Sequence, residues 1–280
     1  MKPNKHLLTL AMLGGFVLIA APAHAAAVLL LSDNFNTADN TNLNVNTGGE
    51  LAARQAGTLE DTAAAAPAGS SWTETSGTTN AILTNRLYVT NGASISHVVN
   101  NANFLSALTT VDLAGTTGFE VSFKMAYTGT VGAWSSPYLS THNFADERGN
   151  SRFGIIIFGT GDMQIYGDTA ADGTGLSNAN LTTKLGTWSV TAQNTYSMVA
   201  SRTTATTGIY DLFINGTEVY SNRAYTIGTG GVNGELNFEI INVNNGAGLY
   251  DDFLITTVPE PSTALLGGLG LLALQRRRRN

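Results

Sequence analysis

Over residues 119–127 the chain alternates: Phe119, Val121, Phe123, Met125 and Tyr127 are apolar, and Glu120, Ser122 and Lys124 fall between them. Successive side chains of an extended strand point to opposite faces, so this pattern describes a strand with one face in a core and the other in water. The alternation recurs. Tyr210, Leu212 and Ile214 stand against Asp211, and Leu236, Phe238 and Ile240 interleave with Asn237 and Glu239. Residues 153–158 are apolar throughout, with three consecutive isoleucines, and predict a central strand covered on both faces. Asn215-Gly216 then supplies the positive φ angles of a two-residue type I′ hairpin leading into Val219-Tyr220. Further strands are predicted over 29–35, 86–90, 95–99, 163–166, 188–191, 196–201 and 249–256. No helical periodicity of useful length appears outside the two termini, while 31 glycines and many Asn and Thr residues suit turns. The economical architecture is all-β, an antiparallel β-sandwich.

Composition removes several functions. With no cysteine in 280 residues there is no disulfide framework, thiolate metal site or cysteine nucleophile. Only 12% of residues are charged, so the polar surface consists of Asn, Thr, Ser and Gly. An acidic balance, with pI near 5.1, argues against nucleic acid as a partner.

The net charge of −6 averages unlike regions. Lys2 and Lys5 precede an apolar stretch over 7–20, and Ala23-His24-Ala25 offers the small residues a signal peptidase accepts. Residues 1–25 therefore predict a signal helix, removed after Ala25, in an exported chain. The far end mirrors this. Pro259-Glu260-Pro261 precedes an apolar run over 263–274, then Arg276, Arg277, Arg278 and Arg279. That run rises about 18 Å as a helix, against a hydrocarbon core of about 30 Å, so it is a short hydrophobic helix and a marginal transmembrane anchor. The arginines would hold it with its basic end in the cytoplasm.

Order, spacing and terminal position of these features closely resemble the PEP-CTERM sorting signal of Gram-negative, exopolysaccharide-producing bacteria. The resemblance covers 258–280. It implies that an exosortase, a membrane-embedded cysteine peptidase, recognises the tripeptide, cleaves near it and passes the protein to the outer surface. The protein would be anchored in the inner membrane only in transit.

Between the signals lies one predicted domain, 26–257. Its segment 209–220, with a strand ending in Asn-Gly, resembles a hairpin of laminin-G and concanavalin A-like jelly rolls. Ser32-Asp33-Asn34-Phe35 and Tyr250-Asp251-Asp252-Phe253 resemble the paired terminal strands that close such domains. The resemblance implies a jelly roll, and related domains hold a structural calcium where Asp33 and Asp252 would meet. Two carboxylates and backbone oxygens are the donors such an ion takes.

Catalytic chemistry has little support. Jelly-roll hydrolases of the laminarinase type carry Glu-x-Asp-x-x-Glu on one strand, and no glutamate of the domain starts that spacing. His97 and His142 are the only histidines beyond the signal segment, and no Gly-x-Ser-x-Gly elbow accompanies them. His142 reads as a polar loop residue. Among Trp72, Trp134 and Trp188, the expected glycan contact is Trp134 with Tyr138, read as an exposed pair in a Gly- and Ser-rich loop over 134–149; flat apolar faces with polar edges suit sugar rings.

The sequence thus describes an exported, non-catalytic β-sandwich sorted to the cell surface or extracellular matrix, where extracellular polysaccharide is the expected neighbour. A dedicated carbohydrate-binding module and a divergent polysaccharide hydrolase are the alternatives.

Overall fold

The computed structural model describes residues 29–33, 35, 72–76, 80–82, 84, 86–90, 95–100, 116–140, 152–169, 175–202, 207–226, 237–244 and 246–259. The signal helix, the C-terminal hydrophobic helix and the terminal arginines lie outside these residues. Among the described residues no helix is long and apolar enough to cross a membrane.

The described chain forms strands β1 (Leu29–Asp33), β2 (Trp72–Ser76), β3 (Ala81–Ile82), β4 (Leu87–Thr90), β5 (Ile95–Asn100), β6 (Thr116–Thr128), β7 (Trp134–Ser140), β8 (Arg152–Phe158) and β9 (Met163–Tyr166). Helix α1 (Asn178–Leu185) follows, then β10 (Asn194–Arg202), β11 (Thr207–Ile214), β12 (Thr217–Thr226), β13 (Asn237–Val243) and β14 (Ala247–Pro259). The first sheet runs β12-β11-β10-β6-β14-β4-β3, with β1 on β14 beside β4; the second runs β2-β5-β13-β7-β8-β9. Every named pairing is antiparallel, giving the sandwich that the alternation predicts and of the jelly-roll type that the resemblance implies.

Register carries the alternating residues into one layer. Ile214, Tyr196 and Phe123 lie in a row across β11, β10 and β6, and Leu212, Met198, Val121 and Ile255 form the next. All seven are buried. From the second sheet, Phe153 stacks on Tyr225 with centroids 4.2 Å apart, and Phe238 meets Phe253 edge-on at 5.0 Å. These ring pairs join the two sheets.

β8 is buried on both faces through Ile157, as its unbroken apolar run predicts, although it lies one strand in from the β9 edge. The hairpin turn also lies where expected, with φ of 52° at Asn215 and 76° at Gly216.

Three expectations need correction. Residues 188–191 form no strand: the Asn194 side-chain amide donates to the Ser189 and Ala192 carbonyls, both at 2.9 Å, and bends this segment into a turn before β10. Helix α1 interrupts what reads as loop. Ser177 caps it by accepting from the Asn180 N–H, while Leu181 is its only buried residue, too little apolar surface to show a helical period. Finally, 134–140 is strand β7, so Trp134 and Tyr138 are strand residues.

Candidate functional site

Two places gather polar chemistry. The first lies where β14 crosses between β6 and β1. Asp251 pairs with Lys124 and Leu254 with Ser122, so Asp252 and Phe253 together oppose Phe123 alone. This is a β-bulge, and Asp252 sits in it with φ of 48°. On the other flank Asp33 pairs with Phe253 and Ser32 with Leu254. A cavity of about 300 Å³ results, lined by Ser32, Asp33, Ser122, Lys124, Thr195 and Asp252 among others.

The structure therefore brings Asp33 and Asp252 to one pocket, as pairing of the terminal strands requires. Both are already engaged. Buried Asp33 accepts from the Phe35 N–H at 2.8 Å, and Asp252 forms an ion pair with Lys124. The hydrogen bond to Asp252, then its charge, raises the Lys124 ammonium above the ordinary lysine range. Loss of water on burial, followed by the charge of Asp252, raises the neighbouring Asp251. Calcium would have to displace a cation that the chain itself supplies. Among the described residues no group of three or more His, Cys, Asp or Glu side chains is placed to hold a metal.

The second place is the outer face of the second sheet. The guanidinium of Arg152, at the start of β8, lies over the Tyr138 ring at 4.8 Å and the Tyr166 ring at 5.5 Å. The charges of Glu239, on β13, and of Arg152 both act on the Tyr138 phenol, and Arg152 acts likewise on Tyr166 of β9. Burial, then the Glu239 charge, pushes the Tyr138 phenol well up; burial does the same to Tyr166. One atom of this cluster, Nε of Arg152, is buried without a hydrogen-bond partner among the described residues. Four strands meet here around a cation that lies over two rings, one of which also feels the Glu239 carboxylate.

Tyr138 is thus not the exposed ring expected of it: it is 1% exposed beneath Arg152. Trp134, four residues along the same strand, is half-buried. Trp188 packs edge-on against Tyr196 in the core, Trp72 lies in β2, and His97 lies in β5 opposite Ile241. His142 falls outside the described residues, as do Ala23, Ala25, Glu260, Pro261, Arg276, Arg277, Arg278 and Arg279. Pro259 is the last residue of β14.

Lys124, Arg152 and Glu239 carry these two places, and none stands out in the sequence. Lys124 reads only as a solvent-facing strand residue, and nothing local in the sequence links Arg152 or Glu239 to the Tyr138 ring. Their signal lies in register, which spans strands far apart along the chain.

A two-sheet sandwich closed by its terminal strands, with a sorting motif continuing from the last of them, is the class these features define. Residues 257–279 match the PEP-CTERM protein-sorting motif, a mark of export and anchoring through a C-terminal signal. No curated protein matches the chain in sequence. Among solved structures, the chain is similar to a carbohydrate esterase of a Shiga toxin-encoding bacteriophage, at 12% identity over 83% of this chain and 99% of that one, with a TM-score of 0.48. It is also similar to an alginate lyase, at 13% identity over 85% and 99% with a TM-score of 0.44. Peanut lectin is similar at 11% identity over 85% and 100%, with a TM-score of 0.44.

Proposed function

We propose that this protein is exported by a signal peptide removed after Ala25, anchored briefly in the inner membrane by its C-terminal helix, and released to the cell surface or extracellular matrix by an exosortase. There the sandwich, residues 26–257, serves a non-catalytic role among extracellular polysaccharide. The observation carrying this reading is the sorting motif that continues directly from β14. Strand pairing supports it: Leu29, at the start of β1, lies opposite Thr256, so the chain leaves β14 toward its sorting signal at the end of the sheet where β1 begins. Replacing Pro259 and Pro261 with Ala should leave uncleaved protein in the inner membrane. Surface delivery at the wild-type level would refute exosortase sorting.

Trp134 keeps a glycan-binding reading open as the second proposal, because it is only half-buried at the start of β7. Tyr138 would act behind it, through Arg152, rather than by touching sugar. Binding on a glycan array that vanishes in Trp134→Ala would support a carbohydrate-binding module; an array blank for the wild type would remove it. The hydrolase alternative draws no support from Asp33 and Asp252. They share a pocket, but Lys124 holds one and the Phe35 N–H the other, whereas hydrolysis needs a free acid and a free base or nucleophile.

A further inference from the structure

The last three residues of β14, Thr257, Val258 and Pro259, are also the first three of the matched sorting motif. They belong to the sheet. Thr257 pairs with Phe119, Val258 with Gly118 and Pro259 with Thr116, while on the opposite edge Phe253, Leu254, Ile255 and Thr256 pair with β1. Phe253, Ile255 and Thr257 are each 1% exposed.

A peptidase reads its substrate as an extended strand with free backbone groups on either side of the bond it breaks. A strand bonded along both edges offers none. To present any bond within 253–256, β14 would have to withdraw Phe253 and Ile255 from the core; Thr257 and Val258, beyond the register with β1, stay paired to β6 with Thr257 buried. Losing the burial of two such side chains lowers the open population by about a hundredfold or more. Pro259 is the last residue of the strand. It has no N–H to donate to β6, and the register already slips between Val258 and Pro259.

We propose that the folded sandwich itself sets the upstream limit of processing: the peptide bond broken lies C-terminal to Pro259. Water adds across that bond, leaving a carboxylate on the domain and a free amine on the departing tail. The inference rests on the sorting reading, but the protection it invokes belongs to the sheet alone. The mature domain keeps β14 whole and melts at the same temperature as the unprocessed chain.

Two measurements test this. The full-length chain, extracted from membranes in detergent, is trimmed under native conditions with proteinase K, and the mass of the surviving core gives its C terminus. In parallel, the protein recovered from the surface of the producing cell is weighed intact. A terminus at Pro259 or beyond, but short of Asn280, in both supports the proposal, and a terminus at Val258 or earlier in either overturns it. A surface protein still ending at Asn280 overturns it through the sorting reading, while the protease measurement separately reports whether the sheet protects β14.

Discussion

Lys124 faces Asp252 across the bulge, and the pair is 43% and 45% exposed, so solvent screens it heavily. Exposed pairs of this kind contribute at most about 1 kcal/mol. Because the folded pKa of Lys124 is raised, its contribution is full below the ordinary lysine range near 10.5 and is lost as pH climbs through the folded value. Lys124→Gln should therefore cost about 0.5 kcal/mol in urea unfolding at neutral pH, a difference that shrinks in high salt. The same ammonium gives a metal prediction. With Asp252 neutralised from within, adding calcium or a chelator should leave the melting temperature of the wild type unchanged. A clear rise with calcium would mean that Asp33 and Asp252 hold the ion after all. Gly216, in the turn between β11 and β12, is a purely conformational case: a Cβ there would meet nothing within 4 Å, yet φ is 76°. Gly216→Ala should cost about 1 kcal/mol through backbone strain alone, read as a lower urea midpoint with an unchanged slope.

At the scale of elements, the two sheets are stitched along one edge by the turn after β9. Thr226 N–H donates to Gly167 and Thr169 N–H to Ala224, which brings Asp168 against β11 and β12. There its carboxylate accepts from the Tyr210 hydroxyl at 2.6 Å and from Arg223 Nε at 2.8 Å. Asp168 and Arg223 are only 11% and 13% exposed. Asp168→Ala removes the acceptor shared by the Tyr210 hydroxyl and Arg223 Nε where little water can replace it, and should cost about 3 kcal/mol, measured by urea unfolding. Asp168→Asn keeps an acceptor and should cost less. The sequence shows Asp168 only as an acid in a Gly-rich loop, because its partners lie 42 and 55 residues away. The Asn215-Gly216 hairpin, by contrast, is written in adjacent residues and is legible for that reason. Helix α1 and the turn at Trp188 are not legible: one is held by caps, the other by a single asparagine amide, and neither leaves a periodic trace.

For the whole molecule, the alternating strands fix the architecture because burying one face of each leaves a two-layer sandwich as the economical packing. Which residues meet across the layers is a matter of register, and the pocket and the arginine cluster follow from it. Without cysteine this fold is held by packing, and tyrosines make up much of it. Tyr127, Tyr138, Tyr196, Tyr210 and Tyr250 are each at most 1% exposed, and burial is the largest cause of the raised phenol pKa in all five. In the unfolded chain these phenols lose their protons near pH 10, whereas in the fold they keep them. Above that pH the unfolded state binds fewer protons, so stability is intact below about pH 10 and falls as pH rises beyond it. Each phenol contributes a loss of up to about 1.4 kcal/mol per pH unit. Five together would exhaust a typical stability of about 5–15 kcal/mol within one to two units. Absorbance at 295 nm should thus show a block of phenolates appearing in a single step, coincident with loss of the β-sheet circular dichroism signal. Gradual ionisation of these phenols near pH 10, with the sheet signal intact, would show that their rings are not buried.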